Sequence, residues 1–264
     1  MRRPTDRERM TVAAFIPARM GSTRFPGKPL ALLAGQPIIQ HVHAAARAAP
    51  ALQQIYVCTD DPRIARAVAA FGGTALMTRA DHASGTDRIV EALGAADPAG
   101  LIDIVVNIQG DEPLIRPGHI QRCVEQFAAT PGADWATLVY PLVSEKDWAN
   151  PNVVKVVRDV HGFALYFSRA PVPYNRDGSA SVPRAGHIGL YAYRTEALRR
   201  FASLPPTPLE ATERLEQLRA LEHGMKILCV EVGKAEQGID TPEDLAHAER
   251  ILAAHPEYSN ITVA

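Results

Sequence analysis

The stretch VAAFIPARMGSTRFPGKPL, residues 12–30, decides the architecture. Its first six residues are apolar on both parities, the pattern of a strand covered on both faces and hence of a parallel sheet. The strand runs directly into a loop that holds Arg19, Gly21, Ser22, Thr23, Arg24, Gly27 and Lys28. Glycines expose backbone N–H groups, and Arg and Lys ends beside them form a cradle for a polyphosphate. The spacing is not that of a P-loop, because Gly21 and Gly27 are six apart and Pro29 follows Lys28. A GxGxxG fingerprint is absent from the chain. A position just after the first buried strand favours ligand binding over a merely solvated loop, since doubly wound sheets bind at the carboxyl ends of their strands.

Working outward, IYVCT (55–59), TALM (74–77) and DIVVNI (103–108) repeat the buried-strand pattern. Between them Ile38, Ile39, Val42, Ala45 and Ala46 recur at helical spacing, as do Ile64, Val68 and Phe71, and then Ile89, Val90 and Leu93. The alternation predicts an α/β, Rossmann-like, mostly parallel sheet flanked by helices. From 133 to 193 the texture changes: WATLVYPL, VVKVV, FALYFS and HIGLYAY read as strands, with a hairpin turn near 159–162. That block predicts an antiparallel β-rich insertion. Helices are predicted at 195–203, 212–223 and 241–253, with a strand at KILCVEV. The expected organisation is a disordered leader at 1–11 with Met10 as an alternative start, an α/β core at 12–132, the insertion at 133–193, a part completing the core at 194–255, and a tail at 256–264.

Composition excludes whole classes of function. Lys plus Arg total 28 against 29 for Asp plus Glu, a net charge of −1, with 47% apolar and 22% charged residues. This is ordinary globular usage, incompatible with intrinsic disorder or collagen. A dedicated nucleic-acid binder would show a basic surplus. The longest stretch free of charged residues, 29–46, carries two prolines, a glycine, two glutamines and two histidines, so no membrane insertion is expected. The N-terminus MRRPTDRERM lacks the apolar core of a signal peptide. Cys58, Cys123 and Cys229 are odd in number with no CxxC spacing, which suits buried thiols in a reducing, cytoplasmic compartment.

Two acids stand out. DIVVNI ends in Gln109-Gly110-Asp111-Glu112-Pro113, and carboxylates after a buried strand are costly unless paired, capping or bound to a cation. Magnesium takes one or two carboxylates plus substrate phosphates, so a carboxylate facing a phosphate cradle suits it. In Gly238-Ile239-Asp240-Thr241-Pro242-Glu243-Asp244, Thr241 and Pro242 make a helix start. Asp240 is thereby left for other work, with capping by Asp240 itself as the alternative.

The blocks IPAR-x-x-STR-x-PGKPL, TRADH-x-SGTDR, NIQGDEP, NPNVVKVV, ALYFSRAPVP, HIGLYAYR, PLE-x-x-ERLEQLRAL and GIDTPEDL follow in that order. Together, over residues 12 to 252, they closely resemble the 3-deoxy-manno-octulosonate (Kdo) cytidylyltransferases, a nucleotidyltransferase family of GT-A-like fold. The resemblance implies formation of CMP-Kdo and pyrophosphate from CTP and Kdo with Mg²⁺, in the cytoplasm, for lipopolysaccharide assembly, by a homodimer. It assigns Arg19, Ser22, Arg24 and Lys28 to the CTP phosphates and Ser84, Gly85 and Thr86 to the nucleotide. Asp111 and Asp240 are implied to hold the metal; Arg19, Lys28, Asp111 and Asp240 form the catalytic set. Arg79, Gln109, Arg169, His187, Glu210 and Gln217 are implied to bind the sugar, and the insertion to carry sugar binding and dimerisation. Activation of a related acidic sugar (sialic acid or amino-Kdo) and a silent nucleotide-binding relative are the competing readings. The run Arg184-Ala185-Gly186-His187 departs from the family pattern, which has a basic residue directly before this histidine; Met20 stands where an aromatic is usual.

Overall fold

The computed structural model describes residues 10–21, 24–176, 178, 184–233 and 238–255; Ser22, most of the leader and the 256–264 tail lie outside the described residues. The chain forms two compact units, one of Met1–Gln121 with Glu236–Ala264 and one of Arg122–Ala235.

In the first unit, β1 (Val12–Pro17) is followed by a 3-10 turn at Lys28–Leu30, the short pair β2 (Leu32–Leu33) and β3 (Gln36–Pro37), and α1 (Ile38–Arg47). Then come β4 (Gln54–Thr59), α2 (Pro62–Ala70), β5 (Thr74–Met77), α3 (Gly85–Ala96), β6 (Ile104–Asn107) and α4 (Pro117–Ala128), the helix within which the boundary falls. β1 pairs in parallel with both β4 and β6, and β4 with β5. The spatial order β6-β1-β4-β5 therefore reverses direction between β1 and β6, a topological switch point where ligands bind in doubly wound sheets. Val12 to Ile16 and Ile104 to Val106 are buried, as runs apolar on both parities require. The leader expected over 1–11 ends earlier than that: Thr11 N donates to Asp103 Oδ2 at 2.8 Å, and its carbonyl accepts from Asp103 and Ile104.

The second unit contains β7 (Trp135–Pro141), α5 (Glu145–Ala149), β8 (Lys155–Arg158), β9 (Ala164–Ser168), β10 (Ala185–Arg194), α6 (Thr195–Ala202), α7 (Pro208–Glu213), α8 (Gln217–Glu222) and β11 (Ile227–Glu231). β10 runs antiparallel to β7 and β8, and β8 antiparallel to β9 in a hairpin whose turn closes with Gly162 N on Asp159 O. β11 pairs in parallel with β7, so the strand expected to complete the core belongs to this unit, together with the helices at 195–222. The one helix expected over 212–223 is two, because Arg214 sits at φ 53, a left-handed conformation that ends α7. Lys155, on β8, has no exposure at all, and its ammonium is held by the carbonyls of Asn150, Val153 and Arg169 at 2.9, 2.6 and 2.6 Å. A buried charge of this kind is tolerable only when its donors are satisfied.

The chain re-enters the first unit with α9 (Pro242–Ala254), capped as its sequence predicts: Thr241 Oγ1 accepts from Asp244 N, and the Asp244 carboxylate returns to the backbone of Thr241. Ile239, Ala248 and Leu252 bury against Leu33, Ile38 and Leu114. Burial of a side chain such as Ile239 contributes about 2 kcal/mol, and it ties the segment before α9 to the loops after β1 and β6. All three cysteines are buried, and desolvation pushes each thiol up to about 12.

Candidate active site

The loop after β1 closes on itself through Gly27 N to Met20 O at 3.1 Å, with Gly27 at φ 75, a conformation that suits glycine. This turn aims Lys28 inward, where it is only 9% exposed. Its ammonium donates to Asp111 Oδ2 at 2.6 Å, to the Ile239 carbonyl at 2.7 Å and to Asp240 Oδ1 at 3.4 Å. Arg24 reaches the same Asp240 oxygen at 3.0 Å. The backbone joins in: Ile239 N donates to Asp111 O at 2.9 Å. Asp240 is not the helix cap, since Thr241 fills that place.

These groups line a pocket of about 390 Å³, within the first unit, at the switch point. Of the residues singled out from the sequence, Arg19, Arg24, Lys28, Ser84, Gly85, Gln109, Asp111 and Asp240 all line it. Ser84 caps α3, its Oγ accepting from Asp87 N while the Asp87 carboxylate accepts from Ser84 N. The cap aims the N-terminus of a 12-residue helix at the pocket, a ready site for anionic oxygen. Thr86 is buried one residue into that helix and is not part of the lining. Gly110 has a close-approach role: a Cβ there would stand 2.6 Å from the Pro17 carbonyl oxygen. Arg79 is mostly exposed and lies outside the lining, its Nε 3.5 Å from both Asp81 and Glu91.

Two titratable residues of the pocket lining carried no assigned role in the sequence reading. Arg88, buried in α3, lines the pocket with its guanidinium held by Thr78 Oγ1 at 2.5 Å and Asp60 Oδ1 at 3.1 Å. His82 lines it too, its Nε2 bound to Glu91 Oε2. Both stand in the TRADH-x-SGTDR block, so the signal was present as sequence but not as chemistry. The Glu112 carboxyl is pushed up to about 8 by burial and by the neighbouring Asp111 and Asp240, with Lys28 pulling the other way. Among the described residues no group of three His, Cys, Asp or Glu forms a full metal cage. Two carboxylates converging beside a pocket lined by arginine and lysine nevertheless fit magnesium, whose other ligands are water and phosphate.

The remaining expected residues lie in the second unit. The Arg169 guanidinium donates to three backbone carbonyls: Glu213 O at 2.8 Å, Pro151 O at 3.1 Å and Arg214 O at 3.5 Å. Its backbone N–H donates to Glu213 Oε2 at 2.9 Å. His187 bonds Thr137 Oγ1 through Nε2 at 2.9 Å, and burial pushes its pKa down to about 4, so the ring is neutral at pH 7. Glu210 is paired with Arg219, Oε2 to Nε at 2.7 Å, and also accepts from Thr207 N in a capping box. Gln217 is buried, and its side-chain Nε2 has no hydrogen-bond partner among the described residues. A buried amide donor without a partner is costly and is readily satisfied by a ligand oxygen.

Known proteins are similar to this chain along nearly its whole length. The family model described as Cytidylyltransferase matches residues 13–227. A 3-deoxy-manno-octulosonate cytidylyltransferase of Syntrophobacter fumaroxidans is 51% identical over 245 residues, covering 92% of this chain and 98% of the relative. The protein of the same name from Nitrobacter winogradskyi is 52% identical over 243 residues, covering 90% and 93%. Among solved structures, a CMP:2-keto-3-deoxy-manno-octonic acid synthetase complexed with CTP is similar with a TM-score of 0.88 at 42% identity, covering 92% of this chain and 99% of that one. A cytidylyltransferase of Leptospira borgpetersenii, at 17% identity and a TM-score of 0.60, shares the fold. At about half identity over nine-tenths or more of its length, the chain belongs to the 3-deoxy-manno-octulosonate cytidylyltransferase family.

Proposed function

We propose that this enzyme transfers the cytidylyl group of CTP to 3-deoxy-manno-octulosonate, releasing pyrophosphate and supplying CMP-Kdo for lipopolysaccharide assembly. The observation that carries the reading is the convergence of Lys28, Asp111 and Asp240 at the switch point of a chain about half identical to enzymes named for this reaction.

In this reaction the anomeric hydroxyl oxygen of the sugar attacks the α-phosphorus, the bond to the β-phosphate bridging oxygen breaks, and the hydroxyl proton is released. Negative charge grows on the phosphate oxygens, so positioning and charge neutralisation provide most of the catalysis. Arg19, Arg24 and Lys28 supply cations on one wall of the pocket, and the capped N-terminus of α3 supplies N–H groups on another. Asp111 and Asp240 would hold a magnesium ion, which adds charge neutralisation at the phosphates. Arg88, locked by Thr78 and Asp60, offers a fixed guanidinium rather than a mobile one. On the second unit, the buried Gln217 amide and the neutral His187 provide polar contacts suited to sugar hydroxyls.

The enzyme acts in the cytoplasm as a homodimer in this reading. Val160 at 95% and Leu165 at 60% exposure, both on the β8–β9 hairpin, give the second unit apolar surface of the kind that a partner covers. The test of the activity is pyrophosphate release with CTP, UTP and ATP against Kdo. Release with CTP and Kdo alone supports it; release only with another 2-keto-3-deoxy acid selects a different sugar, and CTP binding without release selects a silent relative.

A further inference from the structure

An ammonium has three N–H donors, and all three of Lys28's are engaged by the protein: Asp111 Oδ2 at 2.6 Å, the Ile239 carbonyl at 2.7 Å and Asp240 Oδ1 at 3.4 Å. Its side chain is 11% exposed, against 37% for Asp111 and 47% for Asp240. The lysine is thus deeper than either acid and sits where it neutralises both at once. Arg24 also touches Asp240, but with a side chain 66% exposed it is screened by water and contacts only that one acid. In this arrangement Lys28 has no donor left for a phosphate, and the two carboxylates that suit a divalent cation already share its ammonium.

We propose that Lys28 is the resident counter-ion of the Asp111–Asp240 pair in the metal-free enzyme, and that it yields these carboxylates to a divalent cation and carries its ammonium to the nucleotide phosphates. The inference rests on the reading of Asp111 and Asp240 as metal ligands. A lysine and a divalent cation on the same two oxygens repel each other strongly at such separations, so occupancy by one expels the other. The exchange couples two events. The cation binds weakly alone because it must displace Lys28, and it binds well with the nucleotide because the phosphates receive the displaced ammonium. The lysine keeps the acids from repelling each other apart before substrate arrives.

The test is Mn²⁺ binding without nucleotide, followed by electron paramagnetic resonance, on wild type, Lys28→Met, Lys28→Arg and Asp111→Asn, each first checked for folding by circular dichroism. Lys28→Met should bind Mn²⁺ at least about tenfold more tightly than wild type, the factor that 1.4 kcal/mol of lost competition is worth. Lys28→Arg should stay near wild type, and Asp111→Asn should lose binding. Equal affinity in Lys28→Met and wild type, with binding lost in Asp111→Asn, overturns the counter-ion role while leaving the metal reading intact. Binding unchanged in Asp111→Asn overturns the metal reading itself. A second readout uses the wild-type protein: acetylation of Lys28, followed by mass spectrometry, should rise when Mg²⁺ is added without nucleotide, and constant labelling counts against the exchange.

Discussion

Lys28 and Asp111 stand 83 residues apart in the chain and 2.6 Å apart in space. The pairing exists because β1 and β6 are hydrogen-bonded neighbours, so the loops leaving their carboxyl ends open onto the same space. Asp240 joins them from a third segment, drawn in by the burial of Ile239.

Asp111→Asn removes the charge and keeps the shape. Turnover should fall about 10²–10³-fold, the usual loss when one preorganised electrostatic group is removed. The partly solvated ion pair contributes no more than about 1 kcal/mol to stability, so the melting curve should barely move. Pyrophosphate release and a thermal melt measure the two effects, and a near-normal rate would remove Asp111 from the catalytic set.

Gly110→Ala puts a methyl group 2.6 Å from the Pro17 carbonyl oxygen, where the neighbour is backbone and has little room to yield. The expected cost in stability is about 1–3 kcal/mol. Because Asp111 is the next residue, kcat should fall by more than the loss of folded protein explains. Steady-state kinetics on the folded fraction decides this; unchanged kcat would mean the loop moves without shifting Asp111.

Glu210 and Arg219 form a pair in which both side chains are under 15% exposed, and Arg219 also stacks on Phe201 with its guanidinium 4.6 Å from the ring centroid. Glu210→Ala removes the carboxylate from this largely buried pair and should cost about 3 kcal/mol in urea unfolding. Glu210→Ala combined with Arg219→Met should cost less than the sum of the two single changes. A raised KM for the sugar at unchanged stability would instead make Glu210 a substrate contact.

Buried histidines make the fold sensitive to mild acid. Burial pushes His43 and His187 down to about 4 from an ordinary value of 6.5. Between pH 6.5 and 4 the unfolded chain binds protons that these two folded rings refuse, so the rings make stability rise with pH across that window. Each ring contributes up to about 1.4 kcal/mol per pH unit there. Glu112, held up to about 8, acts the other way, because from about pH 4.5 to 8 its folded carboxyl keeps a proton that the unfolded one has lost. Urea midpoints at pH 4.5, 5.5 and 7 should show the slope, and His43→Gln should flatten it; an unaltered slope would exclude His43 as a source.

Much of the architecture was readable from local pattern. The doubly apolar runs at 12–17 and 103–108 became parallel neighbours, and the β8–β9 hairpin turned where Asp159 and Gly162 stand. Thr241 and Pro242 capped α9 through contacts within four residues, which is why sequence alone found them. Arg214 gave no such warning: a left-handed arginine is set by its surroundings, not by its propensity, and the helix expected across it is two. The resemblance implies that Arg169 binds the sugar, but backbone carbonyls from two other segments engage its guanidinium.

The sequence by itself determined which faces are buried, where the well-capped helix α9 begins and which family the chain resembles, because periodicity and capping act over a few residues. Only the tertiary structure decided that Lys28 would take Asp111 and Asp240 as joint partners, that Arg88 would be fixed by Thr78 and Asp60, and that Glu210 would be taken by Arg219. Charge pairing depends on distances of a few ångströms between residues remote in the chain. Those distances follow from how the strands order and how Ile239 and its neighbours pack.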